Sequence, residues 1–306
     1  MTVSVANLTE LREKVVLACR MIGSRGVSKG SFGHVSARIP GTASVLIKSK
    51  GPDEEALEFT TGRDVITLAL DGQVLEAPAG LVRVRATCRD GKVTEVTFRN
   101  VPAFAVHLDK EIDVPTLGRV TVDVAWGGMF YVIADAAPFG LRLTPDEGRD
   151  ITRIGELIKA ATREQLPVVH PDNPEIKDVT IAQLSGPAAS PQNDRRNAVI
   201  VSTGTLDWKR PSTWTGAIDR SPCGTGTCAK MATLHARGQL ALHQPFRHEG
   251  VLGTVFTGTL LEESTVGPYR AVVPQLAGAA WITGFARYVV DPTDPFPDGF
   301  TVGDIW

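Results

Sequence analysis

Apolar residues return at helical spacing near the start of the chain. Leu8, Leu11, Val15, Ala18, Cys19 and Ile22 share one face of a helix over 8–22, and Asn7 with Glu10 stands where a capping box would open it. A glycine-rich stretch follows (Gly23, Gly26, Gly30, Gly33), then strand-like runs at 45–48 and 65–70 and a tight turn at Asp71-Gly72. From residue 81 the period falls to two. Val82, Val84 and Ala86 alternate with Arg83, Arg85 and Thr87, and Asp90-Gly91 turns the chain into a strand over 93–99. Val120, Val122 and Val124 alternate with Thr121 and Asp123 in another half-buried strand.

A second helix is signalled by Thr144-Pro145-Asp146-Glu147, with a capping box and proline at the first helical position. Ile151, Ile154, Leu157, Ile158 and Ala161 supply its apolar face. A third helix starts just after Cys223 and stops at Gly238. Strands at 254–261 and 269–273 precede a proline-rich tail at 291–297. No repeat of fixed period is visible. Strands and helices do not alternate regularly, which favours an α+β fold, a mixed sheet wrapped around a few helices, over a doubly wound sheet.

Composition narrows the function classes. A chain of 306 residues has room for about two domains. A net charge of −2 gives no reason to expect nucleic acid or an anionic membrane as partner. No run approaches the ~20 apolar residues of a membrane span, and residues 1–14 lack a cationic start followed by an apolar core, so no secretory leader is expected. Cys19, Cys88, Cys223 and Cys228 are too few and too scattered for a disulfide framework, and the last two do not have zinc spacing. His107, His170, His235, His243 and His248 form no HxH or HExxH pattern. A reducing, cytoplasmic setting is expected, with no metal and no cofactor.

One run carries chemistry: Asp219-Arg220-Ser221-Pro222-Cys223-Gly224-Thr225-Gly226-Thr227. It puts a thiol where a loop becomes the first turn of a helix. Unpaired N–H groups and the positive end of the helix dipole are expected to lower the thiol's pKa there, and the same N–H groups can hold a small carboxylate. A base beside an anion clamp points to proton chemistry on an amino or hydroxy acid. Cys228, more than a turn further on, reads as core. Gly127-Gly128 reads as a close approach of two backbones, and packing explains Trp126 and Phe130 at least as well as a cleft does.

From about residue 78 to 306 the chain resembles the proline racemase family, which includes 4-hydroxyproline 2-epimerases and trans-3-hydroxyproline dehydratases. The resemblance rests on Phe98-Arg99-Asn100-Val101-Pro102, Gly127-Gly128-Met129-Phe130-Tyr131, the run around Cys223, Leu252-Gly253-Thr254-Val255-Phe256-Thr257-Gly258, Trp281-Ile282-Thr283-Gly284 and the tail 291–300. It implies the diaminopimelate-epimerase fold, two mixed β domains each around a helix with substrate between them. It also implies a pair of thiols, one removing the α-proton and the other returning one to the opposite face. Carried over, Cys223 is one acid/base, Asp219 accepts from the substrate's ring nitrogen, and the N–H groups of Gly224 and Thr225 hold its carboxylate. Cysteine at 223, rather than threonine, is more like the racemase and epimerase branch than the dehydratase branch.

The family's Cys-Gly-His-Gly segment, which carries the partner thiol, has no counterpart here. Cys19 falls inside a helix and Cys88 at a strand end, neither followed by Gly-His, and Ser31-Phe32-Gly33-His34 is a poor stand-in because a hydroxyl is a far weaker acid than a thiol. Residues 1 to about 78 instead resemble the N-terminal part of a class II aldolase (adducin-type) domain, through Leu11-Arg12-Glu13-Lys14, Gly30-Ser31-Phe32-Gly33-His34-Val35-Ser36-Ala37-Arg38 and Phe59-Thr60-Thr61. The expected organisation is an aldolase-like α/β fragment (1–78), the remainder of a first racemase-like domain (79–140) and a second such domain (141–306). The expected function is a cofactor-independent isomerase of a proline or hydroxyproline type imino acid, impaired for want of the first thiol, with a homodimer as a possible assembly. The rivals are a one-base 3-hydroxyproline dehydratase, a non-catalytic imino-acid binder, and an aldolase-type lyase, the last disfavoured because no histidine triad is present for its metal.

Overall fold

The computed structural model describes residues 5–24, 35–42, 44–48, 57–69, 74–77, 79–90 and 92–281, with 293 and 295. Gly26, Gly30 and Gly33, the Ser31–His34 run, the Asp71-Gly72 turn, Gly91 and the motif after Trp281 lie outside the described residues. The chain divides into two compact units, 1–78 with 281–306, and 79–280.

In the first unit, helix α1 (Val5–Ser24) buries Val15 and Cys19 against Ile39, Leu46, Leu57 and Val65. The helix starts before Asn7, so Asn7 and Glu10 are not its cap; Glu10 instead takes Lys14 Nζ at 2.7 Å, one turn on. Strands β1 (Ser36–Arg38), β2 (Ser44–Lys48) and β3 (Val65–Ala69) form an antiparallel sheet in that order, and β4 (Val74–Ala77) follows in sequence. Burial pushes the Cys19 thiol up, as suits a packed side chain.

The second unit is a barrel. Its first strands are β5 (Gly80–Arg89), β6 (Lys92–Arg99), β7 (Ala103–Val114), β8 (Gly118–Trp126) and β9 (Phe130–Asp135). Helix α2 (Gly148–Gln165) leads to a small ribbon, β10 (Val169–His170) and β11 (Asn173–Lys177), then β12 (Ile181–Gly186), β13 (Arg195–Ser202) and β14 (Gly216–Ile218). Helix α3 (Gly224–Ala236) precedes β15 (Phe246–Glu249), β16 (Val255–Val266) and β17 (Tyr269–Gly278). The pairing order is β16-β15-β13-β12-β9-β8-β7-β17, and β17 pairs back onto β16, so eight strands close on themselves. The β12–β9 and β13–β15 pairs are parallel, the others antiparallel. The β5–β6 hairpin extends from the far part of β17. Its alternation weakens outward: Val82 and Val84 are half-buried, Ala86 is exposed.

α3 fills the barrel. Cys228, Ala229, Met231, Ala232 and Leu234 pack among Ala103, Ala125, Tyr131, Ile133, Ile181, Val199, Phe246, Leu260, Val272 and Leu276, which come from all eight strands. α2 packs outside. Its Ile151, Ile154, Leu157 and Ile158, each worth about 1.5–3 kcal/mol of burial, meet the other face of the wall through Val122, Val124, Val132, Ala134, Ala182, Leu184 and Ile200. Here the wall is packed on both faces, which is why β9 reads as a nearly continuous apolar run. Glu147 accepts the Thr144 N–H at 3.1 Å as expected, although the first turn, Pro145–Glu147, is a 3-10 turn before the α-helix proper. Trp126 and Phe130 lie on the α2 side in a cluster with Phe104, His170 and Tyr269, where the Phe104 and Tyr269 rings stack at 4.7 Å. They are packing residues. No described helix is long and apolar enough to cross a membrane.

Candidate active site

Cys223 stands at the N-cap of α3 with φ 64° and ψ 129°, a conformation that non-glycine residues rarely adopt. Such strain costs about 1–3 kcal/mol and persists only where surroundings enforce it. Here they are identifiable. The Pro222 carbonyl accepts from Asn197 Nδ2 at 2.8 Å and from Thr227 Oγ1 at 3.2 Å, and the Cys223 N–H donates to Ser221 Oγ at 3.0 Å. Ser221 in turn donates both its N–H, at 2.9 Å, and its hydroxyl, at 3.0 Å, to Asp219 Oδ1. Thr227 Oγ1 also meets His248 Nδ1 at 2.9 Å. His248 is fully buried, and burial pushes its pKa down to about 3, so it is neutral.

The sulfur faces a hydroxyl pair. Tyr131 Oη lies 3.3 Å from Cys223 Sγ and 2.7 Å from Thr225 Oγ1, and Thr225 Oγ1 is 3.8 Å from the sulfur. The Gly224 and Thr225 N–H groups belong to the first turn of α3 and have no intrahelical acceptor. Asp219 is half-buried, and its Oδ2 makes no hydrogen bond among the described residues. Asp219, Ser221, Cys223, Tyr131 and Thr225 are thus joined in one chain of polar contacts around the start of α3.

Gly127 sets how closely the β8–β9 turn approaches α3. A Cβ there would sit 2.1 Å from the Thr225 carbonyl oxygen and 2.5 Å from Ala229 N. Gly128, at φ 110°, completes the turn. Asn100 Nδ2 ties it down by donating to the Gly127 carbonyl at 2.8 Å and to Cys228 Sγ at 3.3 Å. Cys228 is fully buried, a core residue.

The expected depression of the Cys223 pKa is not what the site produces. Burial pushes the thiol up; the Tyr131 hydroxyl and the Gly226 N–H pull it down, Asp219 adds to the rise, and burial prevails. Only 9% of Cys223 is exposed, so water solvates the thiolate poorly. The helix start is there, but a dipole at a surface and a dipole inside a barrel act on differently solvated sulfurs. Replacing Tyr131 with phenylalanine removes a donor to the thiolate. Alkylation of Cys223 at pH 8 should slow roughly three- to tenfold, with its pH inflection moved upward. Iodoacetamide labelling read by mass spectrometry checks this, and the same experiment should label exposed Cys88 first and buried Cys19 and Cys228 only on unfolding. Tyr131, Asn197, Ser221 and His248 are site residues to which sequence reasoning gave no role; Tyr131, inside Gly127-Gly128-Met129-Phe130-Tyr131, and Ser221, inside the run around Cys223, lay in motifs already singled out, whereas Asn197 and His248 did not.

Residues 64–301 match the sequence model of the Proline racemase family. The chain belongs to the proline racemase family. Residues 13–92 match the class II Aldolase and Adducin N-terminal domain, so both expected resemblances hold, and the two matches overlap over 64–92 instead of meeting at 78. A proline racemase from Clostridioides difficile is 39% identical over 227 residues, 74% of this chain and 64% of that protein. The chain therefore spans less than two thirds of the length of that curated relative. A hydroxyproline epimerase from Agrobacterium vitis, solved with bound trans-4-hydroxy-L-proline, aligns with a TM-score of 0.64 at 35% identity, over 76% of this chain and 63% of that one. A probable proline racemase from Agrobacterium radiobacter K84, solved with bound carbonate, aligns with a TM-score of 0.68 at 29% identity, over 95% of this chain and 86% of that one. The closed barrel around α3 is accordingly a proline racemase family fold, in line with the expected architecture of mixed β domains around a helix.

Proposed function

We propose that this chain is a cofactor-independent amino-acid isomerase of the proline racemase and hydroxyproline epimerase type, and that Cys223 performs the α-proton transfer on one face of the substrate. The observation that carries the reading is the Cys223 sulfur at the start of the enclosed helix, beside the free N–H groups of Gly224 and Thr225 and the half-buried Asp219 carboxylate. The relative with bound trans-4-hydroxy-L-proline supports an imino acid as substrate.

In this reading the substrate carboxylate sits on the Gly224 and Thr225 N–H groups, and Asp219 Oδ2 accepts from the protonated ring nitrogen. The thiolate form of Cys223 takes the α-proton: the C–H bond breaks, S–H forms, and the electron pair moves into the carboxylate, where the two N–H groups meet the growing charge. A raised pKa suits this task, because a more basic thiolate is the better match for a weakly acidic carbon. In the resting enzyme Cys223 is a thiol at neutral pH, and it serves equally as the acid that returns a proton.

Inversion needs a second acid on the opposite face, and no cysteine of this chain is followed by Gly-His. The chain alone should therefore exchange the α-hydrogen with retention of configuration and epimerise slowly or not at all. NMR of 4-hydroxyproline isomers in D₂O tests both points, with calorimetry against the planar carboxylate pyrrole-2-carboxylate run beside it. Exchange without inversion supports the one-face reading; rapid inversion requires a second acid; binding without exchange replaces the isomerase by an imino-acid binder.

A further inference from the structure

At the opposite end of the barrel from Cys223, α3 delivers a second charged side chain to a second cavity. Lys230 lies two turns along the helix and opens, with Leu234, into a cavity of about 630 Å³, within the usual range for small-molecule sites. Around it stand three cations, Lys230, Arg195 and Arg237, and three carboxylates, Asp109, Asp123 and Asp135.

These six charges are not all spent on one another. Arg237 is held by Asp123, through Nη1–Oδ2 and Nη2–Oδ1 bonds of 2.7 Å each, and by Asp109 at 2.6 Å. Asp123 also accepts the Asp109 N–H at 3.0 Å, so its oxygens are occupied. Lys230 is different. Burial pushes its pKa down against the pull of Asp123 and Asp135, and its ammonium makes no direct hydrogen bond or ion pair among the described residues. Ser185, only 6% exposed, likewise keeps its hydroxyl unbonded among the described residues while lining the same cavity. Arg195 at the mouth has one bond, to the Asp194 carbonyl at 3.3 Å. Asp135 is the register neighbour of Ser185 across the parallel β9–β12 pair, and it uses one oxygen, on the Ala137 N–H at 3.1 Å.

What stays unspent is an ammonium, a hydroxyl and a guanidinium on one side and a carboxylate oxygen on the other. The half-buried Lys230 opens to this cavity, and a lining of balanced charge disfavours a dianion. A carboxylate with an ammonium one or two bonds away satisfies both sets. We propose that this cavity binds a small α-amino-acid zwitterion, its carboxylate on Lys230, Ser185 and Arg195 and its ammonium on Asp135. This site stands apart from the Cys223 reading and does not depend on it.

The test is an NMR titration of the full ¹⁵N-labelled chain with glycine and L-proline, and separately with acetate, phosphate and methylammonium. The amides of Ser185, Asp135 and Lys230 should shift on addition of the zwitterions, with acetate, phosphate and methylammonium at least tenfold weaker. Lys230→Met should weaken that response at least tenfold while leaving pyrrole-2-carboxylate shifts at Gly224 and Thr225 as they were. Arg195→Gln, at the rim and harmless to the core, should weaken it several-fold if Lys230→Met melts early. Equal binding by acetate or phosphate would make this a simple anion hole and overturn the assignment, as would zwitterion shifts that neither variant changes. Failure of the Cys223 reading would show separately, as silent Gly224 and Thr225 amides beside a responding Lys230.

Discussion

Replacing Cys223 with serine should cut α-hydrogen exchange of a hydroxyproline-type substrate by about 10²–10⁴-fold, the usual worth of a positioned acid/base. The substitution keeps the geometry. A hydroxyl can still meet Tyr131 Oη and Thr225 Oγ1, and serine inherits the same φ 64° backbone, so the melting temperature should hardly move. What changes is acidity: an alcohol yields its proton far less readily than a thiol, and the barrel interior discourages the anion further. Deuterium incorporation into 4-hydroxyproline by purified wild-type and variant chains is the measurement. A serine variant that exchanges at the wild-type rate would sink the assignment of the base to position 223.

The largest effect on stability is expected from Gly127→Ala. The new methyl would lie 2.1 Å from the Thr225 carbonyl and 2.5 Å from Ala229 N, and both are helix backbone, which cannot rotate aside. Either α3 moves within a barrel that grips it from all sides or the β8–β9 turn gives up the Asn100 bond. Overpacking of this kind costs about 3 kcal/mol or more, a fall in Tm of roughly 6–12 °C for a unit of this size. The same shift would displace the Thr225 N–H, so exchange should drop with stability. Thermal denaturation followed by circular dichroism decides it, and a variant melting within 2 °C of the wild type (about 1 kcal/mol) would show that the close approach is looser than described.

Periodicity revealed most of the elements because each has one face that must be buried. Ile151, Ile154, Leu157, Ile158 and Ala161 all ended inside, and Val120, Val122 and Val124 did as well. Closure was illegible. Nothing local in 255–266 or 269–278 says that these strands also seal a ring, since that follows from partners far away in sequence. The site was half legible for the same reason. Asp219, Cys223, Gly224 and Thr225 are neighbours along the chain, whereas Tyr131, Asn197 and His248 reach the thiol's loop from three separate strands. The direction of the Cys223 pKa was misread because a helix start can be recognised in a sequence, while the depth at which it is buried cannot.

The way the ring is sealed has a consequence for biosynthesis. β17 pairs with β7 on one edge and β16 on the other, yet a ribosome makes β7 long before β17. For most of translation the nascent wall is a curved sheet with raw edges, and the sulfurs of Cys223 and Cys228 face whatever oxidants are nearby. For Cys228, which packs beside Val272 and Leu276 of β17, shelter is complete only when the last strand docks, so this thiol is most vulnerable before the protein exists as a finished object.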